Sequence, residues 1–181
     1  VLDMSKIEAD QIELPREPFN LEELMREVRV LVDAQLTETG IEHRISRGHM
    51  VHTSLIGSPL QLRQIMLNLF SNAIKYNKEG GSIETYAGEL SCDGKIVYYE
   101  FIITDTGVGM SREFVEEHLF KPFTQEQSDA RTQYKGTGLG MSIVQGLIRK
   151  MHGSVQVESE LGKGTKITCQ IPFELDTESE M

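Results

Sequence analysis

The chain has 181 residues, enough for one domain with a sizeable core and a short extension, and too few for two ordinary domains. Its 39% hydrophobic and 25% charged residues exclude a disordered or collagen-like chain, and no apolar run approaches the roughly 18–20 residues that span a bilayer. Eighteen basic against 28 acidic residues leave a net charge of -10, which with no basic patch argues against nucleic acid as a partner.

A polyphosphate ligand would then need a divalent cation, backbone amides and a few placed Lys or Arg side chains. Cys92 and Cys169 lack Cys-x-x-Cys spacing, so neither a zinc site nor a disulfide framework is suggested, and a reducing cytosol is the expected setting. The opening Val1-Leu2-Asp3 carries no initiator Met and no signal pattern, as expected of a piece of a longer protein.

Leu2, Met4 and Ile7 have helical spacing, and Pro15 and Pro18 close that segment. Asn20 and Glu23 read as a capping box before a helix carrying Leu21, Leu24, Met25, Val28, Leu31 and Val32, broken at Thr39-Gly40. Residues 42–46 and 50–56 are short enough and apolar enough for strands. Ser58-Pro59 predicts a helix start, with Ser as N-cap and Pro at the first helical position, and the helix runs to about Tyr76. Gln61, Gln64, Asn68, Asn72 and Lys75 share one face of it. That stripe reads either as a solvated face or, because two aligned asparagines suit a helix interior poorly, as a ligand surface.

Residues 82–87 and 95–104 around Asp93-Gly94 predict a β-hairpin. Its second strand delivers the chain to Asp105-Thr106-Gly107-Val108-Gly109, with a short helix from about Ser111 to His118 after it. Residues 121–135 carry little hydrophobic periodicity and read as a long loop of the kind that forms lids. It ends in Gly136-Thr137-Gly138-Leu139-Gly140, which opens a helix closed by Gly153; such a loop offers amides and a positive helix end to an anion. Residues 155–158 and 165–171 predict a closing hairpin around Gly162-Lys163-Gly164. The acidic tail from Glu174 is expected to be disordered or a linker.

The order of these pieces resembles the ATP-binding catalytic domain of sensor histidine kinases, within the superfamily that includes gyrase-type topoisomerases, Hsp90 chaperones and MutL-type repair ATPases. The matching motifs are Gln64–Asn77 (QIMLNLFSNAIKYN), Asp105–Met110 (DTGVGM), Phe120–Phe123 (FKPF) and Gly136–Met141 (GTGLGM). The resemblance implies an α+β fold, a two-layer sandwich of the Bergerat type, its mixed sheet covered on one face by about three helices. It divides the chain into residues 1–14, the end of a dimerisation and phosphotransfer helix with its linker, residues 15–173, the catalytic domain, and residues 174–181, the tail.

By the same resemblance, Asn72 matches the position whose amide oxygen coordinates Mg²⁺, and Lys75, one turn on, is within reach of phosphate. Asp105 matches the carboxylate that accepts a hydrogen bond from the adenine amino group. Gly107 and Gly109 allow close approach to the base, Tyr76 is similar to the aromatic lining the pocket, and Thr165 matches an adenine-side hydroxyl. Lys135, Gly136, Thr137, Gly138, Leu139 and Gly140 match the loop closing over the phosphates. Arg131 and Lys135 read equally as lid cations or as solvated charges, and Phe120 and Phe123 as lid anchors. Asn68 stands where hydrolysing relatives carry a glutamate that activates water, so the γ-phosphoryl group is expected to be kept for another acceptor. Asn68, Asn72 and Lys75 are accordingly the catalytic candidates.

The family's acceptor motif surrounds none of His43, His49, His52, His118 or His152. The resemblance therefore implies an ATP- and Mg²⁺-dependent protein-histidine kinase domain. It implies as partners a histidine-bearing dimerisation domain and a response regulator receiver domain, in a cytoplasmic setting, within a parent protein that forms homodimers. The alternatives are an ATP-hydrolysing clamp and a nucleotide-binding signalling module without transfer activity.

Overall fold

The computed structural model describes residues 14–121 and 140–178. The helix expected near the N-terminus, most of the lid segment with Phe123 and Arg131, and the loop residues Lys135, Gly136, Thr137, Gly138 and Leu139 lie outside those ranges. The described elements are β1 (Glu17–Asn20), α1 (Leu21–Leu36), β2 (Glu42–Arg47), β3 (Ser54–Gly57), α2 (Pro59–Lys75), β4 (Ser82–Cys92), β5 (Ile96–Asp105), α3 (Arg112–Glu117), α4 (Gly140–Lys150), β6 (Ser154–Glu160) and β7 (Gly164–Leu175).

The strands form a seven-stranded sheet in the order β1-β3-β7-β5-β4-β2, with β6 also on β7. The pairing of β2 with β4 is parallel and the others are antiparallel, so the sheet is mixed. One edge of β7 pairs with β5 along its length. The other edge is shared, its first half taken by β6 and its last residues by β3.

Alternation decides which face of the sheet is covered. Val97, Tyr99, Phe101 and Ile103 of β5 are buried, as are Ile167, Cys169, Ile171 and Phe173 of β7, which places one set of side chains on one face. They join a single core with Leu24, Val28 and Val32 of α1, Ile65, Leu69 and Ala73 of α2, and Val144, Leu147 and Ile148 of α4. The fold is therefore the expected two-layer α+β sandwich. Among the described residues no helix is long and apolar enough to cross a membrane.

Local chemistry accounts for most element ends. Asn20 caps α1, its side-chain oxygen accepting from the Glu23 amide at 3.0 Å. Ser58 does not cap α2 as expected: its hydroxyl donates instead to the Pro15 carbonyl and ties the entering chain to the helix start. The left-handed residue ending α4 is His152, with φ 64°, rather than Gly153. The amides of His152 and Gly153 return to the carbonyls of Arg149 and Ile148, completing a Schellman closure. Gly153 is small for another reason, since a Cβ there would lie 2.4 Å from the Gln170 carbonyl oxygen on β7.

Two boundaries differ from the sequence reading. The edge strand β1 was not anticipated and contains Pro18, which a strand at the end of a sheet tolerates. At the other terminus β7 runs to Leu175, and Asp176 is buried with its amide on the Ser54 carbonyl; the paired chain thus extends past the boundary drawn at residue 173.

Candidate nucleotide site

The candidate site is built where β5 ends and α2 ends. Asp105 is the last residue of β5 and lies opposite Thr165 in register with β7. One of its carboxylate oxygens, Oδ1, accepts from the Gly107 amide at 2.8 Å, which bends the chain immediately after the strand. The Val108 amide then donates to the Tyr76 carbonyl at 2.9 Å. This seam leaves no room for a side chain at Gly107, where a Cβ would stand 2.3 Å from the Tyr76 oxygen. Gly109 has φ 69°, a conformation that favours glycine, and a Cβ there would meet the Glu160 carbonyl at 2.0 Å.

The Asp105–Met110 segment is therefore clamped from two sides. On one side Asn77, buried just past the C-terminus of α2, accepts from the Thr106 hydroxyl at 3.1 Å and donates through Nδ2 to the Ser82 carbonyl at 3.0 Å. The Thr106 hydroxyl also accepts from the Ser82 amide at 2.8 Å. On the other side the turn between β6 and β7 holds the segment: the Gly162 amide donates to the Val108 carbonyl, and the Met110 amide to the Ser159 hydroxyl, each at 2.8 Å. The Ser159 hydroxyl donates to the Gly164 carbonyl and lies 2.8 Å from the Thr165 hydroxyl. A fixed loop of this kind holds its carboxylate in place before a ligand arrives.

Asn77, Thr106 and Ser159 are positioning residues to which sequence reasoning assigned no role. Asn77 and Thr106 stand inside the matching motifs and Ser159 near the end of β6. Burial of Asn77 beside a glycine-rich turn is a property only the fold supplies.

Asn68, Asn72 and Lys75 lie on α2 and are half-buried, with Asn72 and Lys75 one turn apart on the face predicted for them. Gly140, the first residue of α4, comes against Asn72: a Cβ there would sit 3.6 Å from the Asn72 amide nitrogen and 3.9 Å from its oxygen. The structure thus brings the asparagine stripe of one helix to the N-terminal end of another, where amides and the helix dipole favour an anion. Of the residues proposed from sequence, Asn68, Asn72, Lys75, Tyr76, Asp105, Gly107, Gly109, Gly140 and Thr165 are described. Thr165 is buried against Ser159, beside Asp105 rather than beside the asparagines. Lys135, Gly136, Thr137, Gly138 and Leu139 are outside the described residues.

The donor chemistry fits Mg²⁺ carried in with a nucleotide. Among the described residues no group of three or more His, Cys, Asp or Glu side chains is placed to hold a metal. The oxygen donors on this face of α2 include the neutral amides of Asn68 and Asn72, a kind of ligand that suits a hard cation keeping waters and taking phosphate oxygens for its remaining positions.

With this geometry in view, the relatives are informative. Residues 57–175 match the family described as histidine kinase-, DNA gyrase B-, and HSP90-like ATPase. Hybrid signal transduction histidine kinase A of Dictyostelium discoideum is 33% identical over 99% of the chain, and signal transduction histidine-protein kinase BarA of Escherichia coli is 34% identical over 97%. The chain spans only 8% of the former and 19% of the latter. Full-length ShkA, solved in complex with AMPPNP, superposes with a TM-score of 0.77 at 32% identity, over 96% of this chain and 34% of that one. The catalytic domain of histidine kinase ThkA, at 24% identity and a TM-score of 0.71, shares the fold over 88% of this chain and 96% of its own. The clamped Asp-x-Gly-x-Gly turn, the asparagine-bearing helix and these similarities lead to one conclusion: the chain belongs to the histidine kinase-, gyrase B- and HSP90-like ATPase family.

Proposed function

We propose that this chain is the ATP-binding catalytic domain of a sensor histidine kinase, which positions Mg-ATP for transfer of the γ-phosphoryl group to a histidine on a dimerisation domain. In this reading residues 15–173, with the end of β7 at Leu175, are the nucleotide-binding domain, and residues 1–14 the end of a dimerisation and phosphotransfer helix with its linker. The observation that carries it is the placement of the Asp105 turn at one end of α2's C-terminal half and of Asn72 against the start of α4. A purine at Asp105 and a polyphosphate between Asn72 and α4 then fit one extended ligand.

Asp105 has a carboxylate to accept the adenine 6-amino hydrogen; guanine presents a carbonyl at that place and is repelled. Asn72 offers Oδ1 to Mg²⁺, and Lys75 offers its ammonium to phosphate oxygens. Bound there, Mg²⁺ would neutralise phosphate charge and orient the triphosphate. Lys135 and the loop Gly136, Thr137, Gly138 and Leu139 would close over the phosphates ahead of Gly140. Asn68 has an amide where water activation requires a base, and an amide does not take a proton as a carboxylate does. Hydrolysis is therefore slow and the phosphoryl group is retained for the histidine.

The partners follow from the same reading: a histidine-bearing dimerisation domain in a homodimeric parent protein, and a receiver domain that accepts the phosphoryl group onward, all in the cytoplasm. In the full-length protein Asn72→Ala is expected to lower labelling of the histidine from γ-labelled ATP at least tenfold while thermal melting is retained. Undiminished labelling would contradict the role given to Asn72, and steady release of inorganic phosphate by the unaltered chain would favour a hydrolysing clamp.

A further inference from the structure

At the end of the β4–β5 hairpin remote from Asp105, a thiol, an imidazole and a carboxylate lie in a row. Cys92 Sγ is 3.9 Å from His52 Nε2, and His52 Nδ1 is 2.6 Å from Glu89 Oε1. Glu89 and Cys92 are three positions apart on one strand, a spacing that in regular pleating sends side chains to opposite faces. A β-bulge at Leu90 cancels that: Glu89 pairs with Tyr99, Ser91 with Tyr98 and Cys92 with Val97. Tyr99 and Val97 are both buried, so Glu89 and Cys92 return to the same covered face. Bulges are a known way of re-aiming a side chain.

The imidazole is held from several directions. Glu89 Oε2 accepts from the amides of His52 and Val51 while its other oxygen takes the ring, and the Tyr99 hydroxyl donates to the His52 carbonyl. The Glu89 side chain is 5% exposed. Burial pushes its carboxyl upward, yet the hydrogen bonds from the His52 ring and the two amides outweigh burial and hold it below the usual range. A carboxylate on Nδ1 favours the tautomer with its proton there and leaves Nε2 as the acceptor facing the thiol. Nucleophile, base and orienting group in sequence is the arrangement that activates a thiol. Cys92 is half-buried, packed at the margin of the core and not within it. The second thiol, Cys169, is fully buried, and burial pushes it up to about 12.

We propose that Cys92 is a reactive thiol, deprotonated by His52 and oriented through Glu89, and that it is a site of mixed-disulfide formation with low-mass disulfides. In that step the Cys92 sulfur attacks one sulfur of the incoming disulfide, its proton having passed to His52 Nε2. A new S–S bond forms, the original S–S bond breaks, and the departing thiolate takes the proton back from His52. Cys92 is oxidised and the departing half is reduced, so electrons balance without another reagent.

The test incubates the full chain with glutathione disulfide and follows adduct by intact mass and peptide mapping. A synthetic peptide of residues 88–96 serves as the unactivated reference, beside His52→Asn and Glu89→Gln, the latter retaining an oxygen for the Val51 and His52 amides. The expected result is a single adduct on Cys92, forming at least tenfold faster than on the peptide, with both variants falling to the peptide rate while circular dichroism and melting are retained. A wild-type rate no faster than the peptide's would overturn the proposal, as would folded variants that keep the full rate. Should a variant fail to fold, the comparison of wild type with peptide decides alone.

Discussion

Asp105 joins an observed duty and a proposed one on different atoms of one side chain. Its Oδ1 bends the chain by accepting from the Gly107 amide at 2.8 Å, and the carboxylate also supplies the acceptor proposed for adenine. An asparagine of the same shape keeps an oxygen for the Gly107 amide but replaces the other oxygen with a donor, which faces the adenine amino group donor to donor. Leaving buried polar groups mismatched is what makes such discrimination strong. Asp105→Asn is therefore expected to weaken adenine-nucleotide binding at least tenfold with the melting temperature little changed; equilibrium titration with a fluorescent adenine nucleotide measures it. Asp105 and Gly107 were legible in the sequence because a carboxylate followed by two spaced glycines announces a bent, exposed backbone. Asn77, Thr106 and Ser159, which hold that backbone, were not, since nothing local says that a polar residue past a helix end will be buried.

Elements end where side chains and backbone geometry satisfy the last amides and carbonyls, and two of these ends make measurable predictions. His152 occupies the left-handed position of the closure after α4, at φ 64°, where a residue with a Cβ is strained. His152→Gly is expected to stabilise the fold by about 0.5–1 kcal/mol in chemical denaturation, relief of strain exceeding the entropy cost of glycine. At the far end of β4, the Glu89 carboxyl is held below its usual range. Its contribution is complete above the unfolded value, about 4.3, and is lost as pH falls through the lower folded value. Stability of the wild type should accordingly fall more steeply on acidification below about pH 4.3 than that of Glu89→Gln, as urea titrations across that window would show. The sequence placed Gly153 at the end of α4 because glycine usually takes the left-handed position. Its smallness instead serves the close approach of β7, a contact that only the folded chain reveals.

At the scale of the molecule, periodicity carried the single elements, the family resemblance carried the layers, and long-range pairing carried the order. The apolar spacing of α1, α2 and α4 predicted three helices, and their place together on one face of a mixed sheet, which the resemblance implied, is what the single core shows. The parallel pairing of β2 with β4 and the division of one β7 edge between β6 and β3 depend on residues far apart in the chain, and no local signal encodes them. The same architecture brings Asn72 against the start of α4 and ties the turn after Asp105 to the end of α2; that one nucleotide uses both is the central claim about function. Calorimetric titration of a non-hydrolysable ATP analogue into this chain, with and without Mg²⁺ and beside the corresponding GTP analogue, tests that claim most directly. Binding that prefers adenine and tightens with Mg²⁺ is the predicted result. Absence of binding, or equal binding of the guanine analogue, would contradict it.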